Sequence, residues 1–429
     1  MTAPERLTVT GPADILGFIP HSLGYWPSDS LVAMTMHGRQ LGATLRLDLP
    51  APDGAAAPEH YLQAVRGYLD ADTSADGTLL AVFTSDTHLA AGTYGGLLAG
   101  LAPVLDQAGM PVRDAWYVGG DYWRGAFCLD AECCPCPGRA VQEIRDSALN
   151  AEMVYRGSSV GPAPERQDTA ARPLPAMHRA AAMEAEEEWE RELSPRSRSL
   201  AQFRVVLDVW EDLLARPAGL PWVPDVDRDG FLCASLLVPH WRDAVLVMSA
   251  AGRKAAEAGV EGFYLFDDAL QLEAISPLLV PGNGAGAHGG AGGPSSTAGV
   301  RRGPERLYSA HSTEPVAVDG EVPNYGAVLM GMAPAVPDWG GMDVLDCILA
   351  ELAALAGQAA AAALTGRGWI SWCRGRGSYA ARHLSDALSA EPGYRLAELI
   401  LELVGRGSIC GWAARKESAW QKFGPGAAA

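Results

Sequence analysis

Between positions 41 and 49 every second residue is apolar: Leu41, Ala43, Leu45, Leu47 and Leu49 alternate with Gly42, Thr44, Arg46 and Asp48. An extended chain turns successive side chains to opposite faces, so this pattern fits a strand with one side on a core and the other toward water. Residues 30–36 read as its partner strand and His37-Gly38-Arg39 as the turn between them.

The surrounding segments say what kind of sheet. Thr10 and Pro12 are a plausible cap and first-turn proline for a helix carrying Ile15, Leu16, Phe18, Ile19 and Leu23 at helical spacing. A second helix is expected over 58–71, with Tyr61, Leu62, Val65, Tyr68 and Leu69 on its buried face, and a third over 93–108. Residues 79–84 form a short continuous apolar run, the mark of a strand covered on both sides. Residues 115–118 and 122–129 read as a second hairpin, with Gly119-Gly120 expected to supply the positive φ of its turn. The order β-β-α-β-α-β-β predicts an α/β domain of α+β-like character over 1–160, a mixed sheet of about five strands with helices packed on it.

From 139 onward the chain turns helical. Residues 139–155 read as one helix, and 180–193 as an acidic one whose glutamates, Glu184 to Glu192, suit a solvated face. Ser194-Pro195 then caps a helix with a stripe of Leu200, Phe203, Val206, Leu207, Trp210, Leu213 and Leu214. Shorter helices over 231–258 complete a mainly helical region, 161–281. Nine glycines between positions 282 and 303 mark 282–304 as a flexible linker. The remaining 305–429 is expected to form a helical C-terminal module, helical from 342 to about 423, after strand-like pieces at 316–318 and 327–330. In it Gly375, Ala380, Leu384, Ala387 and Pro392 have the spacing of the second half of a tetratricopeptide-like helix pair.

Composition bounds the function. A net charge of −18 argues against non-specific binding to nucleic acid or to an anionic membrane surface. The charge is uneven: residues 366–423 hold nine basic and five acidic side chains. No basic leader followed by an apolar core is visible at the start, and no 18-residue apolar span occurs, so a cytoplasmic protein with mostly reduced cysteines is expected.

Four of the eight cysteines crowd together as Cys128-x4-Cys133-Cys134-x-Cys136. Soft thiolates at a hairpin end suit tetrahedral zinc, and this is the candidate metal site; a tight proline turn with small buried thiols, or a redox-labile pair, are the alternatives. Asp225-x-Asp227-x-Asp229-Gly230 fits the first half of a calcium loop, but Leu236 stands where the bidentate Glu belongs, and capping of a following helix explains the run as well. Gly157-Ser158-Ser159-Val160-Gly161 satisfies a nucleophile-elbow string but follows a helix, so it reads as a helix exit. Arg374, Arg376 and Arg382 beside Tyr379 suit either an acidic partner or a solvated basic face. His21 and Asp29 lie between the first helix and the first strand, where they are either an acid–base pair lining a cleft or parts of a hydrogen-bonded turn.

Pro20-His21 through Pro27-x-Asp29-Ser30-Leu31-Val32, then Gly38-Arg39-x-Leu41-Gly42, resembles the opening of an actinobacterial family known as domain of unknown function 4192. Trp123, Cys128, Cys133-Cys134-Pro135 and Gly138 resemble that family's Cys…Cys-Cys-Pro…Gly segment, and Trp372-x-x-Gly375 through Ala387-Leu388, Pro392-Gly393-Tyr394 and Leu396-Ala397 its C-terminal end. The resemblance implies an actinobacterial source and no particular activity; the glycine linker and the 257–337 region depart from the family pattern. The expectation is a non-catalytic binding or regulatory protein that meets a protein partner through residues 342–423. The competing expectation is an enzyme or metal-binding protein using an N-terminal cleft with His21, Asp29 and the Cys128–Cys136 cluster.

Overall fold

The computed structural model describes residues 9–50, 58–84, 94–161, 163, 176–217, 220–267, 272–277, 322–355, 357–415 and 417–420. The glycine-rich stretch 282–304 and the strand-like piece at 316–318 lie outside them. The chain divides into two units between Gln167 and Asp168.

The first unit contains α1 (Pro12–Leu23), β1 (Ser30–His37), β2 (Gln40–Asp48), α2 (Glu59–Leu69), β3 (Gly77–Phe83), α3 (Gly95–Gln107), β4 (Val112–Val118), β5 (Tyr122–Gly125), β6 (Arg139–Ala140), α4 (Gln142–Arg145) and α5 (Ala148–Tyr155). Its sheet runs β2-β1-β3-β4-β5-β6 and is mixed: β3 and β4 are parallel, the other neighbours antiparallel. Side chains alternate across it as the pleat requires. Leu31, Ala33, Leu80 and Val82 pack with α2 and α3 on one face; Val32, Met34, Leu79 and Phe83 pack with Leu16 and Ile19 of α1 on the other. This two-sided cover explains the unbroken apolar run of β3, every residue of which is buried.

Five local expectations need correction. The residue before α1 is Gly11 rather than a capping Thr10, whose hydroxyl donates to Asp14 instead. The sheet has six strands, not five, because Arg139–Ala140 pairs with β5 before the helices begin. The helix expected over 139–155 is two helices, the second capped by Ser147, whose hydroxyl accepts from Asn150 N–H at 3.2 Å. Neither Gly119 nor Gly120 has positive φ; that turn is closed by Gly119 N–H donating to the Tyr122 carbonyl at 2.8 Å. Leu45 and Leu47 of β2, with Leu49 just after it, pack on the α2/α3 side but Leu41 on the α1 side. Opposite Met34–Met36 of β1, β2 carries one extra residue between Leu41 and Thr44, and this one-residue slip accounts for the split, since it moves side chains to the opposite face.

The second unit is helical: α6 (Ala176–Leu193), α7 (Leu200–Leu214), α8 (Val226–Leu236), α9 (Pro239–Ala251), α10 (Arg253–Glu261), α11 (Tyr325–Leu329), α12 (Trp339–Leu352), α13 (Gly357–Cys373), α14 (Gly377–Ala390) and α15 (Arg395–Gly405). One core draws on both sides of the glycine-rich stretch, joining Trp189, Phe203, Trp210 and Phe231 to Leu345, Trp369, Leu384 and Trp412. The α7 stripe is buried as its spacing predicts, though the cap is Ser199, which accepts from Gln202 N–H, rather than Ser194. Residues 327–330 are not a strand: Asn324 caps α11 through Ala327 N–H at 3.1 Å. The helix pair α13–α14 is joined through Gly375 at φ +73°, and Ala380, Leu384 and Ala387 are wholly buried. A β-carbon at Gly368 would fall 2.7 Å from Leu384 Cγ, so small residues do set this close helix contact. Among the described residues no single helix is long and apolar enough to cross a membrane.

Candidate metal centre and apolar pocket

The loop carrying the cysteines leaves β5 and returns as β6, whose pairings Tyr122↔Ala140 and Trp123↔Arg139 close its base. The closure is tight: a β-carbon at Gly138 would lie 2.7 Å from the Trp123 carbonyl oxygen. Inside the loop Asp130 makes the bend. Its Oδ1 accepts from Glu132 N–H and its carbonyl from Cys134 N–H, both at 2.8 Å, an arrangement typical of aspartate in turns. This folds Cys133 and Cys134 back onto Cys128, and the three Sγ atoms lie within 4.8 Å of one another. Gly125 leaves them room, since a β-carbon there would meet Cys128 Cβ at 3.1 Å and Cys134 Sγ at 3.6 Å. Cys136 is exposed and stands outside the group.

The thiols sense one another. Backbone hydrogen bonding at Asp130, helped by the Cys134 thiol, holds Cys128 below the usual thiol range. Hydrogen bonds from Cys128 and Cys134, with their charge, push Cys133 up to about 11. One thiolate in the cluster thus opposes the next, which is the electrostatic situation a bound cation relieves.

His21 and Asp29 occupy different settings. Asp29 is exposed, at φ +45° in the loop before β1. His21 is fully buried at the end of α1, with Nδ1 2.8 Å from Ser158 Oγ and Nε2 2.7 Å from Asn150 Oδ1. An imidazole between a hydroxyl and an orienting amide has the connectivity of a nucleophile–base chain. Ser158, however, is only 3% exposed. The three groups tie α1 to α5 and its exit loop, where Gly157 at φ +85° ends the helix as its string suggests. His21 thus meets Ser158 and Asn150, 137 and 129 residues away, rather than Asp29, and no local pattern signals these contacts.

The acidic run at 225–230 is the start of a helix. Asp225 caps α8, accepting from Arg228 N–H at 3.0 Å; Asp227 accepts from the Trp189 indole N–H at 2.9 Å; Asp229 is buried, its Oδ1 accepting from both Nη2 and Nε of Arg228 at 2.7 and 3.0 Å. Gly230 lies in mid-helix, where α6 crosses: its β-carbon would come 2.7 Å from Ala185 Cβ. Asp225 and Asp229 are therefore committed to the backbone and the side chain of Arg228, and Asp227 to Trp189.

In the helical unit a cavity of about 330 Å³ opens between α9, α11, α13 and α15. Leu246, Leu329, Trp369, Trp372, Leu396 and Leu403 wall it, and Glu402, Arg406 and Asp243 are the charged residues of the lining. The indoles turn their polar edges away: Trp369 N–H donates to the Leu329 carbonyl at 2.8 Å and Trp372 N–H to the Ser408 carbonyl at 2.7 Å. On α15, Ala397 and Ile400 are buried, whereas Leu399, which also lines the cavity, is 40% exposed. Met330, another lining residue, is 43% exposed, and Met332 and Ile409, near in sequence to Met330 and to the Trp372 partner Ser408, are exposed as well. Beside the cavity Arg242 holds Asp243 at 2.7 Å and donates to Tyr394 Oη at 2.5 Å. Burial still leaves Asp243 above the usual carboxylate range.

The basic residues of the same module are engaged internally. Arg374 is buried between Asp346 and Asp343, at 2.7 and 2.5 Å, and Arg382 pairs with Asp386 at 3.0 Å. Arg376 lies over the Tyr379 ring at 3.8 Å. Burial would raise the Asp346 pKa, and Arg367 with Arg374 outweighs it, leaving that carboxylate below its usual range.

No curated protein and no solved structure matches the chain. A family model described as Domain of unknown function (DUF4192) matches residues 12–260 and 343–408, which takes in both the thiol loop and the α13–α15 wall of the cavity, and the chain belongs to that family.

Proposed function

We propose that the protein is a non-catalytic binding protein whose helical unit receives an apolar anchor side chain of a protein partner in the α9/α11/α13/α15 cavity. The observation that carries this reading is the cavity itself, walled by leucines and two tryptophans and continuing outward into exposed Leu399 and Met330. Its volume of about 330 Å³ suits one aromatic or a pair of aliphatic side chains. Protein partners concentrate binding energy in such desolvated anchors, and methionine-rich rims adapt to what surrounds them. The internal pairing of Arg374 and Arg382 favours apolar over charge-driven recognition.

The test places a photo-crosslinking residue at position 399 or 332 of the full chain in its native cell, with position 187 on α6 as the control. A discrete protein adduct is expected from 399 and 332 and not from 187. Leu403→Gln, checked for unchanged thermal unfolding, should abolish the adduct from 399. Equal labelling from 187, or an adduct indifferent to Leu403→Gln, would remove the cavity as the binding seat. A small molecule recovered from the purified chain in place of any protein adduct would overturn the choice of occupant.

A further inference from the structure

We propose that Cys128, Cys133 and Cys134 bind one zinc ion through three thiolates, with a solvent molecule in the fourth position. The inference is independent of the cavity in the helical unit. Zinc–thiolate bonds are about 2.3 Å long, which sets tetrahedral sulfur pairs about 3.8 Å apart. The three sulfurs already lie within 4.8 Å, so side-chain rotation alone closes the remaining gap.

The backbone is arranged for this convergence. The Asp130 bend brings residues 133 and 134 back to 128, the β5–β6 pairing closes the loop, and Gly125 keeps the space between Cys128 and Cys134 open. The thiols have no packing role to explain them. A structural cysteine is a small buried apolar residue, as Cys233 and Cys373 are; Cys133 is exposed, and Cys128 and Cys134 are half-buried. A disulfide would join two of the three sulfurs and leave the third unused, whereas a soft tetrahedral cation uses all three.

Cys136 does not complete the set. It is exposed, outside the group, and sits between Pro135 and Pro137, whose rings restrict the backbone that would have to swing it inward. Site assembly is a proton exchange: Zn²⁺ displaces one proton from each thiol, giving a tris-thiolate zinc–water centre of net charge −1 and three protons in solvent. An open fourth position accepts exchangeable donors, unlike a closed four-ligand structural site.

The test is cobalt(II) titration of the full chain, reduced and freed of metal, followed by displacement with zinc. One cobalt per chain is expected, with thiolate charge-transfer and tetrahedral d–d absorption that zinc abolishes. Loss of an outer-shell partner alone lowers metal affinity roughly 10–100-fold, so Cys128→Ser and Cys133→Ser should each lower it by at least about a hundredfold. Cys347→Ser, at an exposed cysteine in the other unit, and Cys136→Ser should leave stoichiometry and spectrum unchanged. Circular dichroism confirms that each variant is folded. The proposal is overturned if wild type shows no saturable 1:1 spectrum, if Cys133→Ser binds like wild type, or if Cys136→Ser abolishes binding.

Discussion

The thiol loop and the acidic run of α8 each bring at least three potential metal donors into six or seven residues, one in each unit, and the backbone treats them oppositely. In the loop, a bend at Asp130 reverses the chain and the sulfurs of Cys128, Cys133 and Cys134 meet. At 225–230 the chain enters a helix, where successive residues rotate about 100° and positions two apart face away from each other. Asp227 accordingly reaches Trp189 while Asp229 turns to Arg228. A donor string therefore becomes a candidate site when a turn folds it back, and becomes capping and core pairing when a helix winds it apart.

The comparison breaks first at Gly230. In a calcium loop this glycine would serve a turn; here it lets α6 and α8 touch, with Ala185 and Glu186 backbone atoms 2.8 and 2.9 Å from where a β-carbon would be. Gly230→Val should destabilise the protein by about 3 kcal/mol in urea unfolding, the upper part of the usual overpacking range. Asp225→Ala removes a helix cap and should cost about 1 kcal/mol. Millimolar calcium should leave the wild-type unfolding curve in place; a calcium-dependent stabilisation that disappears in Asp225→Ala would restore the metal-loop reading.

Glu186, on the α6 face beside that contact, sharpens the contrast by its pH dependence. Burial, then the charges of Glu190 and Glu187, raises its pKa to about 7 from the model-peptide value of 4.5. A carboxylate raised in the folded state contributes stability when protonated. The contribution is fully present below pH 4.5 and is lost as pH rises through about 7. Glu186→Gln should therefore raise the melting temperature at pH 8, by less than the Asp225→Ala loss because the side chain is partly solvated, and leave it unchanged at pH 4. A gain of equal size at both pH values would show that packing, rather than charge, limits this helix.

Much of the fold was legible because it rests on short-range periodicity. The apolar run of β3, the alternation of β2 and the α7 stripe all follow from which faces are covered. What escaped depends on partners distant in sequence. The fate of Leu41 follows from an extra residue of β2 in its pairing with β1, and β6 is two residues long and exists because β5 offers an edge. The acidic helix α6 was expected to be solvated, yet Trp189 and Ala182 are buried and Glu186 partly so. The cavity was half legible: Leu396, Leu399, Ile400 and Leu403 have helical spacing, but Leu246, Leu329 and Trp369 arrive from three other helices. Arg374 was expected on a basic face and is instead buried against Asp343 and Asp346, because α12 lies across α13. The thiol cluster was visible as a string of four, whereas the meeting of Cys128 with Cys133 and Cys134, and the exclusion of Cys136, goes with a bend at Asp130.

That bend gives the smallest effect on stability and the sharpest on chemistry. Asp130 is in an exposed loop, and its carboxylate accepts from Glu132 N–H at 2.8 Å without touching the core. Asp130→Ala removes that hydrogen bond while leaving all the cysteines in place. Surface changes of this kind shift stability by less than about 0.5 kcal/mol. If the turn is what brings Cys133 and Cys134 to Cys128, the same substitution should weaken zinc binding about tenfold, as loss of other outer-shell support does. Asp130→Asn keeps an oxygen acceptor in the same place and should restore most of the affinity. Matching zinc affinities for wild type and Asp130→Ala would mean that the β5–β6 closure alone holds the thiols together, and the turn would then lose its role in distinguishing the loop from the helix.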